Sequence, residues 1–246
     1  MRADRLHAKA LDIGVLDDPF TSALRGPQSR FARTVGNIVT FEPDVSVFYG
    51  HPREMTDQDY ADLAQLAGIG HTASLRDRRT PLPEDLFDVV AEIDLVQYRG
   101  DAVEPPTADP TADPELVRLG VADVPEMTAL IELTEPGPFL PRTIEMGVYL
   151  GYRDPDSGRL LAMAGQRLQL PGWTEISAVC THPDARGRGL ARRLVSAVAQ
   201  VIVDEGNTPF LHTTADNSAR RLYEKLGFTL NSEVPLEILR VTGNNR

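Results

Sequence analysis

Cys180-Thr181-His182-Pro183-Asp184-Ala185-Arg186-Gly187-Arg188-Gly189-Leu190-Ala191-Arg192-Arg193 is the stretch on which the fold turns. It follows an apolar run, Trp173 to Thr181, and opens the longest helical pattern in the chain. Gly187, Gly189 and Ala191 leave little side chain around the first helical turn. Its unpaired amides can therefore approach an anion closely. The helix dipole adds positive potential, and Arg186, Arg188, Arg192 and Arg193 crowd the same turn. A third glycine and a Gly-Lys-Ser/Thr run are both missing, so this is neither a Rossmann fingerprint nor a P-loop. The combination suits a ligand with a pyrophosphate and a further phosphate.

Outward from that turn, Arg188 to Glu205 predicts a helix. Leu190, Leu194, Ala197, Val198, Val201 and Ile202 recur on one face, and Gly206 is its natural stop. Gly147 to Tyr152, Leu160 to Leu170 and Trp173 to Thr181 read as strands before it. Phe210 to Thr214 reads as a strand after it, followed by a helix from Ser218 to Leu226 and an extended segment from Thr229 to Val241. Further upstream, Leu116 to Leu119 suits a short strand, and Asp123-Val124-Pro125-Glu126 caps a helix. Strands on both sides of a central helix make the class mixed α/β.

Arg186-Gly187-Arg188-Gly189-Leu190-Ala191 resembles the Arg/Gln-x-x-Gly-x-Gly/Ala motif of the GNAT superfamily of N-acetyltransferases, with Thr181-His182-Pro183 as its lead-in. About thirty residues on, Ala219-Arg220-Arg221-Leu222-Tyr223-Glu224-Lys225-Leu226-Gly227-Phe228 resembles the family's second signature, Ala-x-x-Leu-Tyr-x-x-x-Gly-Phe. The wording around Glu175 to Pro183 and Pro209 to His212 is similar to the branch containing the C-terminal half of glycine N-acyltransferase. The resemblance implies a GNAT fold over residues 114–246: a mixed central sheet with two splayed parallel strands, flanked by helices.

It also implies chemistry. Acetyl-CoA would lie between the splayed strands and pass its acetyl group directly to a primary amine of a small molecule, amino acid or peptide. By matching position, the backbone of Val179, Cys180 and Thr181 would pair with the pantetheine arm. The amides from Gly187 through Arg188, Gly189, Leu190 and Ala191 to Arg192, with Arg186, would hold the pyrophosphate. Tyr223 matches the family's acid for the leaving thiolate, and Glu175 a position that carries a base in several members. His182 and His212 are backups for that base. Cys180 is no nucleophile, because no histidine is placed to activate it. The family's asparagine seven residues before the tyrosine is here Asp216; Asn217, one residue nearer, is the candidate to replace it. No metal is implied.

The first part of the chain carries no catalytic constellation, and His51 and His71 read as structural or surface residues. Phe20 to Ala32 could be helical, although Gly26-Pro27 interrupts it; Asn37 to Tyr49 looks extended; Thr56 suits a helix N-cap; Asp88 to Tyr98 suits a strand. Asp101 to Pro114 reads DAVEPPTADPTADP, with prolines at 105, 106, 110 and 114. Proline fixes φ and removes a donor, so this is no core element. The expected organisation is a smaller N-terminal α/β domain over 1–105, in one version a degenerate GNAT-like half, a linker over 106–113, and the acetyltransferase domain. A long surface loop within one domain is the alternative.

The 246 residues hold 25 basic and 36 acidic side chains, a net charge of −11. Such a surface repels nucleic acid and anionic membrane as a whole, which leaves the turn at 186–193 as a local basic exception. A signal-peptide apolar region is missing from the first residues, so a cytoplasmic protein is expected. One cysteine excludes an internal disulfide framework and a multi-cysteine zinc site. A non-catalytic acyl-CoA-binding or sensing module is the competing reading; Glu175 and Tyr223 count against it, since a pure binder needs neither.

Overall fold

The computed structural model describes residues 11–103 and 109–243. Helix α1 (Pro19–Leu24) starts where the Asp18 carboxylate accepts the Thr21 amide. Gly26-Pro27 ends it, so the helix expected to Ala32 gives way to a 3-10 turn and then to β1 (Ala32–Val35). β2 (Ile38–Phe41), β3 (Phe48–Gly50), α2 (Asp57–Ala67), β4 (Thr72–Arg76) and β5 (Phe87–Arg99) follow. Alternation does not mark β4, because four of its five residues are buried, on both faces. The second half runs β6 (Leu116–Leu119), α3 (Val124–Thr134), β7 (Tyr149–Arg153), β8 (Leu160–Leu170), β9 (Trp173–Thr181), α4 (Leu190–Asp204), β10 (Thr208–Thr214), α5 (Arg220–Lys225) and β11 (Thr229–Val241).

All eleven strands form one sheet, in the order β1-β2-β3-β4-β11-β5-β10-β9-β8-β7-β6. Among the described residues only β3/β4 and β9/β10 pair in parallel. Each parallel pair is joined by a helical crossover, α2 in the first half and α4 in the second. Setting aside α5, which the second half inserts before its last strand, β1-β2-β3-α2-β4-β5 and β7-β8-β9-α4-β10-β11 share one order, but their last strands have traded places. β11 lies beside β4, β5 lies beside β10, and the two exchanged strands pair with each other along nearly their whole length.

The division expected at 106–113 therefore separates the chain but not the sheet. Residues 104–108, which include the start of that stretch, lie outside the described residues. The rest is not a free tether: Pro110–Ala112 is a 3-10 turn packed on α4, and the Asp113 carboxylate accepts hydrogen bonds from Arg193 and, at 2.5 Å, from Tyr152. Proline content excludes regular structure there, but says nothing about Asp113.

Two of the four hydrophobic cores of the described residues lie on opposite faces of the sheet and position the site. On one, α4 and α5 bury Leu194, Val198, Ile202 and Tyr223 against Val96, Tyr98, Ile176 and Leu211. On the other, Leu16, Phe20 and Phe48 of the first half close over Leu168, Trp173 and Phe210 of the second. Trp173 and Phe210 are completely buried there. Burial of a side chain of this size contributes about 2–3 kcal/mol, so this contact holds the halves together as a core does.

Candidate active site

β9 and β10 pair from Trp173/Thr208 to Ile176/Leu211 and then part. β9 turns away through a bulge: against β8, Met163 faces Cys180 and Gly165 faces Ser177, so β9 carries an extra residue. Ala178 takes the strain, with φ of +52°, a left-handed conformation that costs an L-residue roughly 1–2 kcal/mol. Strain of this kind is kept where a strand must be re-aimed. From Ser177 onward β9 has no strand partner on its β10 side. Val179, Cys180 and Thr181 lie on that open edge. The Cys180 side chain is buried, and burial pushes its thiol up to about 11 against the Thr134 and Met163 hydrogen bonds that oppose the shift. It is a protonated packing residue.

α4 begins at the mouth of the parted strands. Gly189 caps it at φ +76°, and Gly187 precedes it at φ +80°. A Cβ at either would meet nothing within 4 Å, so it is the backbone conformation that calls for glycine there. The first amide of the turn with an acceptor is that of Arg193, bonded to the Gly189 carbonyl at 3.2 Å. The N–H groups of residues 187–192 have none among the described residues. Arg186, Arg188 and Arg192 stand exposed around them without an acidic partner among the described residues. Arg193 does not join this group. It pairs with Asp113 and Glu115 and lies 4.5 Å from the Tyr152 ring centre. Free amides, open glycines and three unpaired guanidiniums fit a compact polyphosphate.

Tyr223, on α5, is 5% exposed and lies on the α4 side of the sheet, packed against Tyr98 and Phe228. Burial raises its phenol to about 12, so it is a proton donor and never a phenolate near neutral pH. Its hydroxyl has no hydrogen-bond partner among the described residues. Its helix is held from the far half: the Tyr98 hydroxyl on β5 donates to Glu224 at 2.8 Å and accepts from Arg220 at 3.1 Å. Asn217 is exposed, and its side-chain oxygen accepts the Ala219 amide at 2.8 Å, which starts the turn into α5. With Ala215, Ser218, Arg220, Arg221 and Glu224 it lines an open cleft of about 520 Å³.

Glu175 is not at the cleft surface. It has no exposed area, and Arg167 binds both its oxygens, at 2.7 and 2.8 Å. Burial alone would raise its carboxyl, but the charge and hydrogen bonds of Arg167, with the bond from His212, hold it down at about 2. A carboxylate so placed is a poor base for an ammonium, and the base role expected for Glu175 does not fit this geometry. His212 contacts Glu175 through Nδ1 at 2.7 Å and is itself buried. Burial lowers its pKa, so the imidazole is neutral and the contact is a hydrogen bond. His182 caps its own turn, accepting the Asp184 amide at 3.2 Å. Sequence reasoning missed Arg167, Tyr98 and Gln97. Only Arg167 left a signal: the tight turn at Pro171-Gly172 folds β8 back on β9 and brings position 167 near 175.

Among the described residues no group of three or more His, Cys, Asp or Glu side chains could hold a metal ion, and no helix is long and apolar enough to cross a membrane.

Residues 149–235 match the family model described as FR47-like protein. A solved protein from Novosphingobium aromaticivorans, assigned to the GNAT family of acetyltransferases, is 37% identical over 93% of this chain and 99% of its own, with a TM-score of 0.82. A GCN5-related N-acetyltransferase from Kribbella flavida shares the fold at 20% identity and a TM-score of 0.61. Mycothiol acetyltransferase of Rhodococcus jostii is 30% identical over 186 residues, 68% of this chain. The chain spans 56% of the length of that relative.

Proposed function

Because the chain belongs to the GNAT family of acetyltransferases, we propose that it transfers the acetyl group of acetyl-CoA directly to a primary amine of a small molecule, amino acid or peptide. The observation that carries this reading is the parted β9/β10 pair with free amides 187–192 at its mouth. Those amides, with Arg186, Arg188 and Arg192, hold the pyrophosphate and the further phosphate. The open β9 edge at Val179, Cys180 and Thr181 offers backbone partners to the pantetheine amides. Asn217, in the open cleft beside α5, is assigned to the arm once its cap to Ala219 is exchanged. Tyr223 donates a proton to the departing thiolate; its raised pKa keeps that proton on until it is needed.

The first half is read as a degenerate copy of the same fold. Its β3-α2-β4 unit repeats β9-α4-β10, but α2 starts differently. Thr56 and Asp59 cap each other, and Asp57 and Asp59 put acid in the first turn, where a phosphate would be repelled. One acetyl-CoA per chain follows. A place in the glycine N-acyltransferase branch rests on the wording around Glu175 and Pro209 alone.

Titration calorimetry with acetyl-CoA, then CoA release over a panel of small amines, amino acids and peptides, tests the reading. One site per chain is expected, and Tyr223→Phe should lower turnover about 10²-fold while acetyl-CoA still binds. Tight binding without turnover on any amine would favour the acyl-CoA-binding module instead.

A further inference from the structure

Four side chains form a row across four adjacent strands at the point where β9 and β10 part. Arg167 of β8 grips Glu175 of β9 with two nitrogens. Glu175 accepts from His212 of β10 at 2.7 Å. His212 lies opposite Gln97 of β5 in register, and the Gln97 amide nitrogen is 3.0 Å from its Nε2. The same amide donates to the Leu16 carbonyl at 3.1 Å, while the Gln97 oxygen accepts from Asn231 at 2.6 Å. Leu16 and Asn231 thus fix the amide orientation, which fixes the imidazole with its proton on Nδ1, towards Glu175.

The row is closed from above by the first half. Arg167 lies 4.9 Å from the Phe48 ring centre, Gln28 donates to the Arg167 carbonyl at 2.7 Å, and Phe20 flanks the imidazole, with Phe210 of β10 itself on another side. Gln97 and Glu175 have no exposed area. A buried charged row is seldom the most stable filling for such a space; apolar side chains of like volume often serve as well or better. Its place is specific, however. The last β9/β10 backbone pair is Ile176/Leu211, and His212 is the next residue of β10. Glu175 stands one pair inside the ladder, opposite Phe210, so the Glu175–His212 bond runs diagonally across the last backbone pair and ties β10 just past the ladder back to β9.

We infer that Arg167, Glu175, His212 and Gln97 are positioning residues that set the angle at which β9 and β10 diverge, and so the width of the acetyl-CoA slot, under the hold of the first half. This rests on the proposed function above. It gives the first half a task in a reaction whose other groups all lie in the second. Without the row the strands sample closed and over-parted arrangements, and apparent affinity falls by the fraction still competent.

The test is acetyl-CoA binding by calorimetry and the KM/kcat split of His212→Leu, His212→Asn and Gln97→Met, with folding checked by circular dichroism. Loss of one buried hydrogen bond's bias predicts about a tenfold rise in Kd and KM for His212→Leu, with kcat within about twofold. Asparagine carries a donor near the Nδ1 position, so His212→Asn should return to within about threefold of the wild type. Gln97→Met, which breaks the row from the other half, should raise Kd severalfold and decides the matter if His212→Leu does not fold. Wild-type Kd in folded His212→Leu and Gln97→Met would overturn the inference and leave the proposed function standing. A wild-type protein that does not bind acetyl-CoA would overturn both.

Discussion

Arg167→Met removes the cation from the buried row and keeps an apolar stem over Phe48. In the native protein Glu175 is held at about 2 against an ordinary 4.5. That difference corresponds to about 3 kcal/mol of stability. Its sign is that of a lowered acid: present above pH 4.5 and lost as pH falls towards 2. Without Arg167 the same burial is opposed only by the His212 and Leu168 hydrogen bonds, and the carboxyl is expected to rise above 4.5. The folded state then takes up a proton, shared between Glu175 and His212, that the unfolded state releases. Stability should now fall as pH rises above 4.5, the reverse of the native slope. At pH 8 the expected loss is about 3–5 kcal/mol, or a Tm lower by roughly 6–20 °C for a chain of this length. Urea unfolding at pH 5 and pH 8 reads both quantities. Adding Glu175→Gln removes the orphaned charge and should recover most of the loss at pH 8, a coupling of about 2 kcal/mol or more. If Arg167→Met stays within about 1 kcal/mol of the native protein at pH 8 and keeps its slope, the ion pair is not what holds Glu175, and the reasoning fails.

Two further outcomes follow from the mouth of the cleft. Gly189→Ala meets no neighbour but forces a left-handed alanine; it should cost about 1 kcal/mol in urea unfolding and weaken acetyl-CoA binding in calorimetry severalfold, by misdirecting the first-turn amides. Cys180, with its thiol near 11, should resist iodoacetamide in the folded protein at pH 8 by mass spectrometry, and Cys180→Ala should retain turnover to within about threefold.

The parts of the site that could be read in the chain are those built by neighbours in sequence. The glycines at 187 and 189, the helix they open and the Ala219–Phe228 segment act locally, so residue type and spacing carry their meaning. Glu175 shows the opposite. Alternation along β9 puts it on one face of a strand, but nothing nearby says that Phe20 and Phe48, well over a hundred residues earlier, cover that face. Arg193 looks like its neighbours because its partners, Asp113 and Glu115, sit at the end of the proline-rich stretch and just after it, far upstream. β5 was legible as a strand; its position between β10 and β11 was not, because pairing across the two halves has no local signature.

The traded strands have a consequence for how the chain comes to be folded during synthesis. When the ribosome has made β4 and β5, β4 has only β3 beside it and awaits β11, and β5 awaits both its neighbours, β10 and β11. Leu236, Leu239 and Val241 of β11 complete cores whose other walls were made long before. The first half must therefore wait, partly open, until the second has been translated. Cut at the proline-rich stretch and produced as two separate polypeptides, each half would expose the bare edge of its missing strand, and the pieces would be expected to recover a closed sheet only by finding one another.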